Sequence, residues 1–213
     1  MKLWRAVLVM VVTAAFAGCG GDTKETVEAP TRAAPAPAED APPWPAPADP
    51  MDLTRKATLT PETQEFLNFH VHAHLDVFVN GKPVTVPAAI GIDIANPAVK
   101  KFESPDGSTS YGGIRPPCAQ PCISPLHTHA TDGVLHTESK EDVPNTLGEF
   151  FVEWDVRLDS RCVGGYCKPA APISVYVDGD LYDGDPREIT LEDKREIAIV
   201  IGTPPEHIPS SFG

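Results

Sequence analysis

The chemistry in this chain is concentrated in its histidines. Six of the seven lie in two short stretches with every-other-residue spacing. The first is Phe69-His70-Val71-His72-Ala73-His74-Leu75-Asp76-Val77-Phe78-Val79, and the second is Leu126-His127-Thr128-His129, followed by Val134-Leu135-His136-Thr137-Glu138. Side chains alternate faces along a β-strand, so period-two spacing puts all the histidines of a strand on one face. Neutral imidazoles on one sheet face are donors for zinc, copper, iron or nickel.

Asp132-Gly133 sits between the halves of the second stretch and is a preferred dipeptide for a two-residue type I′ hairpin turn. Counting outward from that turn pairs His129 with His136, Thr128 with Thr137 and His127 with Glu138. His127, His129, His136 and Glu138 then share one face as two directly opposed pairs. Opposed Cβ atoms lie roughly 4.5–5.5 Å apart, which suits side chains closing on one ion.

In the first stretch, Val71, Ala73, Leu75, Val77 and Val79 form an aliphatic face, and His70, His72 and His74 lie opposite with Asp76. Asn80-Gly81 supplies another hairpin turn, and counting outward pairs Val77 with Val84 and Leu75 with Val86. Apolar residues match on both sides, so turn and pattern agree on the register. Pro83 marks the return strand as an edge.

The ligand set expected on this basis is His127, His129 and His136, with Glu138 as a fourth ligand or as the carboxylate that orients an imidazole. His70, His72 and His74 are further candidates if the two faces meet. Met51 is the one methionine beyond the leader, which disfavours a Met-rich Cu(I) carrier and leaves Zn(II) or Cu(II) as the expected cofactor. The alternatives are a metal-dependent enzyme with three histidines, an open position and Glu138 or Asp132 as general base, and a metal-free module that responds to pH through its histidines. The histidines lie on strands, so the helical zincin motif does not apply.

Around these strands the chain divides into three. Residues 1–18 have the form of a secretory leader: Lys2 and Arg5, an apolar run from Leu8 to Phe16 that is too short to span a bilayer, and small residues before Cys19. Ala15-Phe16-Ala17-Gly18-Cys19 resembles a bacterial lipobox, which implies cleavage before Cys19 and a lipidated (palmitate-bearing) cysteine anchoring the protein in the outer face of the cell membrane. Residues 19–50 are Pro/Ala-rich and read as a disordered tether with a reach of roughly 90 Å at about 3.1 Å per residue. Trp44 within it is read as incidental. Residues 51–213 are one domain's worth of chain.

The chain has 17 basic and 30 acidic residues and a formal charge of −13. That argues against nucleic acid and anionic headgroups as partners. The partners expected are the bilayer, through Cys19, and a metal ion. Cys118, Cys122, Cys162 and Cys167 are an even set in an exported domain, which points to two disulfides. Of three possible pairings, Cys118–Cys122 and Cys162–Cys167 is preferred; the rival is a metal site that uses Cys118 and Cys122.

The remaining pattern is mainly β: strands at Asp155–Asp159, Ile173–Val177, Glu188–Leu191 and Glu196–Ile201, the last nearly all apolar and so central. Two short helices are expected. Thr60-Pro61-Glu62 reads as a helix start running through Leu67, and Thr146-Leu147-Gly148-Glu149 as a capping box before Phe150, Phe151 and Trp154. The fold class is an antiparallel sandwich or a partly open barrel.

The segments His70-Val71-His72-Ala73-His74-Leu75, Val79-Asn80-Gly81, Val86-Pro87-Ala88-Ala89-Ile90-Gly91-Ile92, Leu126-His127-Thr128-His129, Gly133-Val134-Leu135-His136-Thr137-Glu138-Ser139, Thr146-Leu147-Gly148-Glu149-Phe150-Phe151 and Gly202-Thr203-Pro204-Pro205 together resemble a family of exported, His-rich bacterial and archaeal proteins. The resemblance covers most of Phe69 to Pro209. It implies one globular domain and transfers no activity.

Overall fold

The computed structural model describes residues 44–212. The leader, Cys19 and most of the tether lie outside the described residues. In chain order the elements are α1 (Pro50–Lys56), β1 (Phe69–Val79), β2 (Lys82–Val84), β3 (Lys100–Glu103), β4 (Thr109–Gly112), β5 (Leu126–His127), β6 (Val134–Ser139), α2 (Leu147–Glu153), β7 (Cys162–Val163), β8 (Tyr166–Cys167), β9 (Ile173–Val177), β10 (Asp180–Tyr182) and β11 (Glu196–Ile201). The described residues are mainly β, with two short α-helices and no closed barrel among them.

One seven-stranded sheet dominates, in the order β10-β9-β11-β1-β6-β5, with β2 also paired to β1. Two small hairpins, β3–β4 and β7–β8, stand apart from it. The large sheet is mixed rather than wholly antiparallel: β1 and β11 run parallel, with Leu75 opposite Ile197 and Val77 opposite Ile199. All six residues of β11 are buried, as its apolar run requires.

The sheet buries the aliphatic face of β1. Ala73, Leu75 and Val77 pack with Leu126, Leu135, Ile197, Ile199, the α2 residues Phe150 and Phe151, and Trp154 at the end of that helix. Thr146 and Glu149 form the expected capping box at the start of α2. Val77 opposite Val84 fits the register counted from Asn80-Gly81, and both turn residues have positive φ.

Three expectations of local secondary structure change. The helix from Thr60 through Leu67 does not form, because its backbone is claimed elsewhere: Glu62 bridges Ile123, and Cys118 donates to the Thr63 carbonyl. The first helix is α1, which carries its proline at Pro50. Asp155–Asp159 makes only an isolated bridge, Leu158 to Val163, because the chain leaves α2 through Asp155 in the left-handed region. Glu188–Leu191 is likewise reduced to a bridge from Thr190 to Thr146 after a 3-10 turn at Pro186–Glu188.

Trp44 is core rather than incidental. It is buried, and its ring meets Trp154 edge-on at 5.7 Å. The packed domain therefore reaches back past Met51. Both preferred disulfides, Cys118–Cys122 and Cys162–Cys167, are formed, which removes those thiols as metal ligands.

Candidate metal centre

β6 lies between β1 and β5, so the two histidine faces do meet. His72 and His127 both stand opposite His136, one from each side, and His70 stands opposite Glu138. This register differs from the one counted from Asp132-Gly133. β5 pairs with β6 two residues further out, with His127 opposite His136 and Leu126 opposite Thr137. A two-residue shift preserves the face, so the histidines still converge.

The cause of the shift is that Thr128 and His129 leave β6 for other partners. Thr128 exchanges backbone hydrogen bonds with Ala89 and Ile90, its hydroxyl donates to the Pro87 carbonyl, and the Tyr111 N–H donates to His129 O. Asp132 is then free to brace its own turn by accepting from the Val134 N–H. Its carboxylate is engaged there, which argues against a role as base.

Backbone carbonyls orient the two β5-side imidazoles. His127 donates its Nδ1 proton to Ser124 O at 2.9 Å, and His129 donates its Nδ1 proton to Tyr111 O at 2.6 Å. Each ring therefore turns its Nε2 toward the cluster, and the two Nε2 atoms face each other at 3.2 Å. Two nitrogens on one tetrahedral ion, each bonded at about 2.0–2.1 Å, would stand about 3.3 Å apart. Glu138 lies between the imidazoles: Oε1 is 3.8 Å from His129 Nε2 and 3.5 Å from His136 Nδ1, and Oε2 is 3.9 Å from His127 Nε2.

Two buried atoms of this group, His136 Nδ1 and Glu138 Oε2, have no hydrogen-bond partner. Such orphans carry a desolvation cost of about 1–3 kcal/mol each unless something else binds them. A cation satisfies both. His127, His129, His136 and Glu138 bring one donor atom each to within 4.8 Å of one another, and so do His70, His72, His136 and Glu138. The buried His/Glu cluster can hold a metal ion.

The electrostatics of His127, His72 and Glu138 favour that, whereas those of His129 favour its proton, which a metal would have to displace. Burial and the neighbouring His129 ring push His127 down to about 3, leaving its imidazole neutral with an Nε2 lone pair that faces His129 Nε2. Burial opposes charge on Glu138, but the His129 and His136 rings outweigh it and hold the carboxyl far below its ordinary range. Burial also lowers His72, helped by the neighbouring His136 and His70 rings. His129 is raised: burial opposes its proton, but Glu138 and the Tyr111 carbonyl prevail.

His74 stands apart from the cluster. Its Nδ1 is bound to the Glu196 carboxylate at 2.9 Å and its Nε2 to the Asp132 carbonyl at 2.8 Å. The Glu196 hydrogen bond raises it to about 9, so both nitrogens carry protons at neutral pH. Asp76 and Glu196 lie close by, but a doubly donating imidazolium offers no lone pair. His207 is exposed beside Glu206.

The supporting residues carry no recognisable mark in the sequence. Gly112 passes so close to His129 that a Cβ there would meet Nδ1 at 2.8 Å, and its φ of +149° is unfavourable to other residues. Behind His127, the Ser124 hydroxyl donates to Glu153 Oε1 at 2.6 Å, and Thr54 donates to Oε2 at 3.1 Å. Burial pushes Glu153 up to about 7, only partly offset by those hydroxyls.

That carboxyl makes stability depend on pH. Its folded pKa lies above the unfolded value near 4.3, so its contribution is fully present below about pH 4.3 and is lost as pH rises through 7. We expect Glu153→Gln to remove about 2–3 kcal/mol of the stability difference between pH 5 and pH 7.5. Urea unfolding of metal-free wild type and variant at both values measures this, and parallel curves would disprove it.

Among the described residues no helix is long and apolar enough to cross a membrane. No protein-family model, no curated protein and no solved structure matches this chain.

Proposed function

We propose that this is an extracytoplasmic metal-binding lipoprotein domain that takes Zn(II) or Cu(II) at His127, His129, His136 and Glu138. One observation carries the reading. His127 and His129 each spend their Nδ1 proton on a backbone carbonyl and turn Nε2 into a buried space where His136 Nδ1 and Glu138 Oε2 are orphaned. Anchoring by a lipid on Cys19, at the outer face of the cell membrane, is supported by Ala15-Phe16-Ala17-Gly18-Cys19 and by the Pro/Ala-rich stretch that follows.

The test is elemental analysis of the exported full chain, with disulfides formed, beside a His129→Ala/His136→Ala variant. At least one equivalent of a single transition metal, lost in the variant, is expected. Protein that is isolated without metal and takes up neither Zn(II) nor Cu(II) would refute the proposal.

A further inference from the structure

His70 and His72 are not needed by a four-ligand site on the β5 side, yet they close on the same carboxylate from the other side. His70 Nε2 lies 2.9 Å from His72 Nε2 and 3.3 Å from Glu138 Oε1. The β1 pair and the β5 pair flank β6, two strand spacings (about 9–10 Å) apart at the backbone. Each pair closes on itself, nitrogen to nitrogen. His70 lies against Oε1 of Glu138 at 3.3 Å, while the β5 pair spans both oxygens, His127 at Oε2 (3.9 Å) and His129 at Oε1 (3.8 Å).

Donor atoms on one ion with bonds of about 2.1 Å stand no more than about 4.2 Å apart. The two pairs fall in separate groups of mutually close donor atoms, so a single ion seated between His127 and His129 leaves the His70–His72 pair held only by its own Nε2-to-Nε2 hydrogen bond. A second ion satisfies that pair as well. We infer that the cluster is a dinuclear centre, with an inner ion on His127 and His129, an outer ion on His70 and His72, and the Glu138 carboxylate bridging them.

This inference rests on the metal-binding reading above. His136 is within reach of both ions. A carboxylate bridge fits the separation of about 3.5–4 Å found in two-metal sites. The ions differ in access: the His127 side chain is fully buried, whereas the His70 side chain is 36% exposed. The outer ion thus keeps coordination positions open to water, hydroxide or a small anion, while the inner ion, between buried His127 and part-exposed His129, is the more enclosed.

The experiment loads the full chain with Cu(II), counts copper per chain and integrates the electron paramagnetic resonance signal. A His70→Ala/His72→Ala variant is measured alongside. That variant changes the exposed side of the cluster and leaves the inner donors intact, and its metal-free melting temperature checks its folding. We expect two coppers in the wild type, with spin intensity well below two because the bridged ions couple. The variant should hold one copper with one full spin.

One copper with one spin in both proteins would overturn the dinuclear assignment and leave the single-ion reading standing. Two coppers with two full spins would overturn the bridge. Loss of all copper in the variant would also overturn the assignment, because the inner ligands are untouched. Failure of the wild type to take up any copper or zinc would refute the underlying reading as well.

Discussion

Zn(II) added to metal-free protein at a thousand times its dissociation constant should raise the melting temperature by roughly 8–16 °C. A ligand that binds only the folded state adds about 4 kcal/mol at that excess. A domain of this size gains about 2–4 °C per kcal/mol. The unfolded chain offers no preformed site, so binding free energy appears as folding free energy. Glu138→Ala should abolish most of the rise, because this carboxylate lies within 4 Å of His70, His127, His129 and His136. The quantity to compare is the metal-induced increment, since removing a buried carboxylate also changes the metal-free baseline. Scanning calorimetry on both proteins, with and without Zn(II), decides the matter. An equal increment in wild type and variant would exclude Glu138 as a ligand.

Trp154→Ala should cost about 3–5 kcal/mol, as large-to-small changes of fully buried aromatics do. Trp154 is 1% exposed and packs against Phe150 at 5.9 Å and Phe151 at 5.5 Å. It also holds the start of the domain in place. Its indole N–H donates to the Trp44 carbonyl at 3.1 Å, and the Trp44 ring lies edge-on to it. Trp44→Ala alone should therefore destabilise the fold, and the pair should couple by about 0.5–1.5 kcal/mol in a double-mutant cycle. Denaturant midpoints measure all three. A Trp44→Ala midpoint equal to wild type would restore the view of residues 44–50 as tether.

That view arose because Ala-Pro repeats carry no periodicity, and a tryptophan inside them has no neighbours in sequence to mark it as core. Its partner, Trp154, caps the end of α2, 110 residues later. The same limit explains the misplaced helix. Thr60-Pro61-Glu62 has sound local signals for a helix start, but the loop closed by Cys118–Cys122 takes its hydrogen bonds. Local chemistry lost to a long-range partner in both cases.

The metal site was more legible, for a reason of symmetry. The register counted from Asp132-Gly133 is off by two residues, yet strand faces repeat every two, so the grouping of His127, His129, His136 and Glu138 did not depend on it. A one-residue error would have scattered them. The Nδ1 acceptors, Ser124 O and Tyr111 O, are backbone atoms, and no residue pattern could announce them.

The parallel pairing of β1 with β11 bears on the order of events in the protein's synthesis. His74 and Glu196, opposite each other in that pair, are separated by 122 residues, so the middle of the sheet cannot close until nearly the whole chain is present. Contacts of such sequence separation make folding slow and late. The strand that carries His70 and His72 has no settled neighbour on its β11 side until the last tenth of the chain has emerged. The sheet that carries the histidines therefore reaches its final form only when nearly all of the chain has been made, and an ion that fits the cluster would meet a finished site only then.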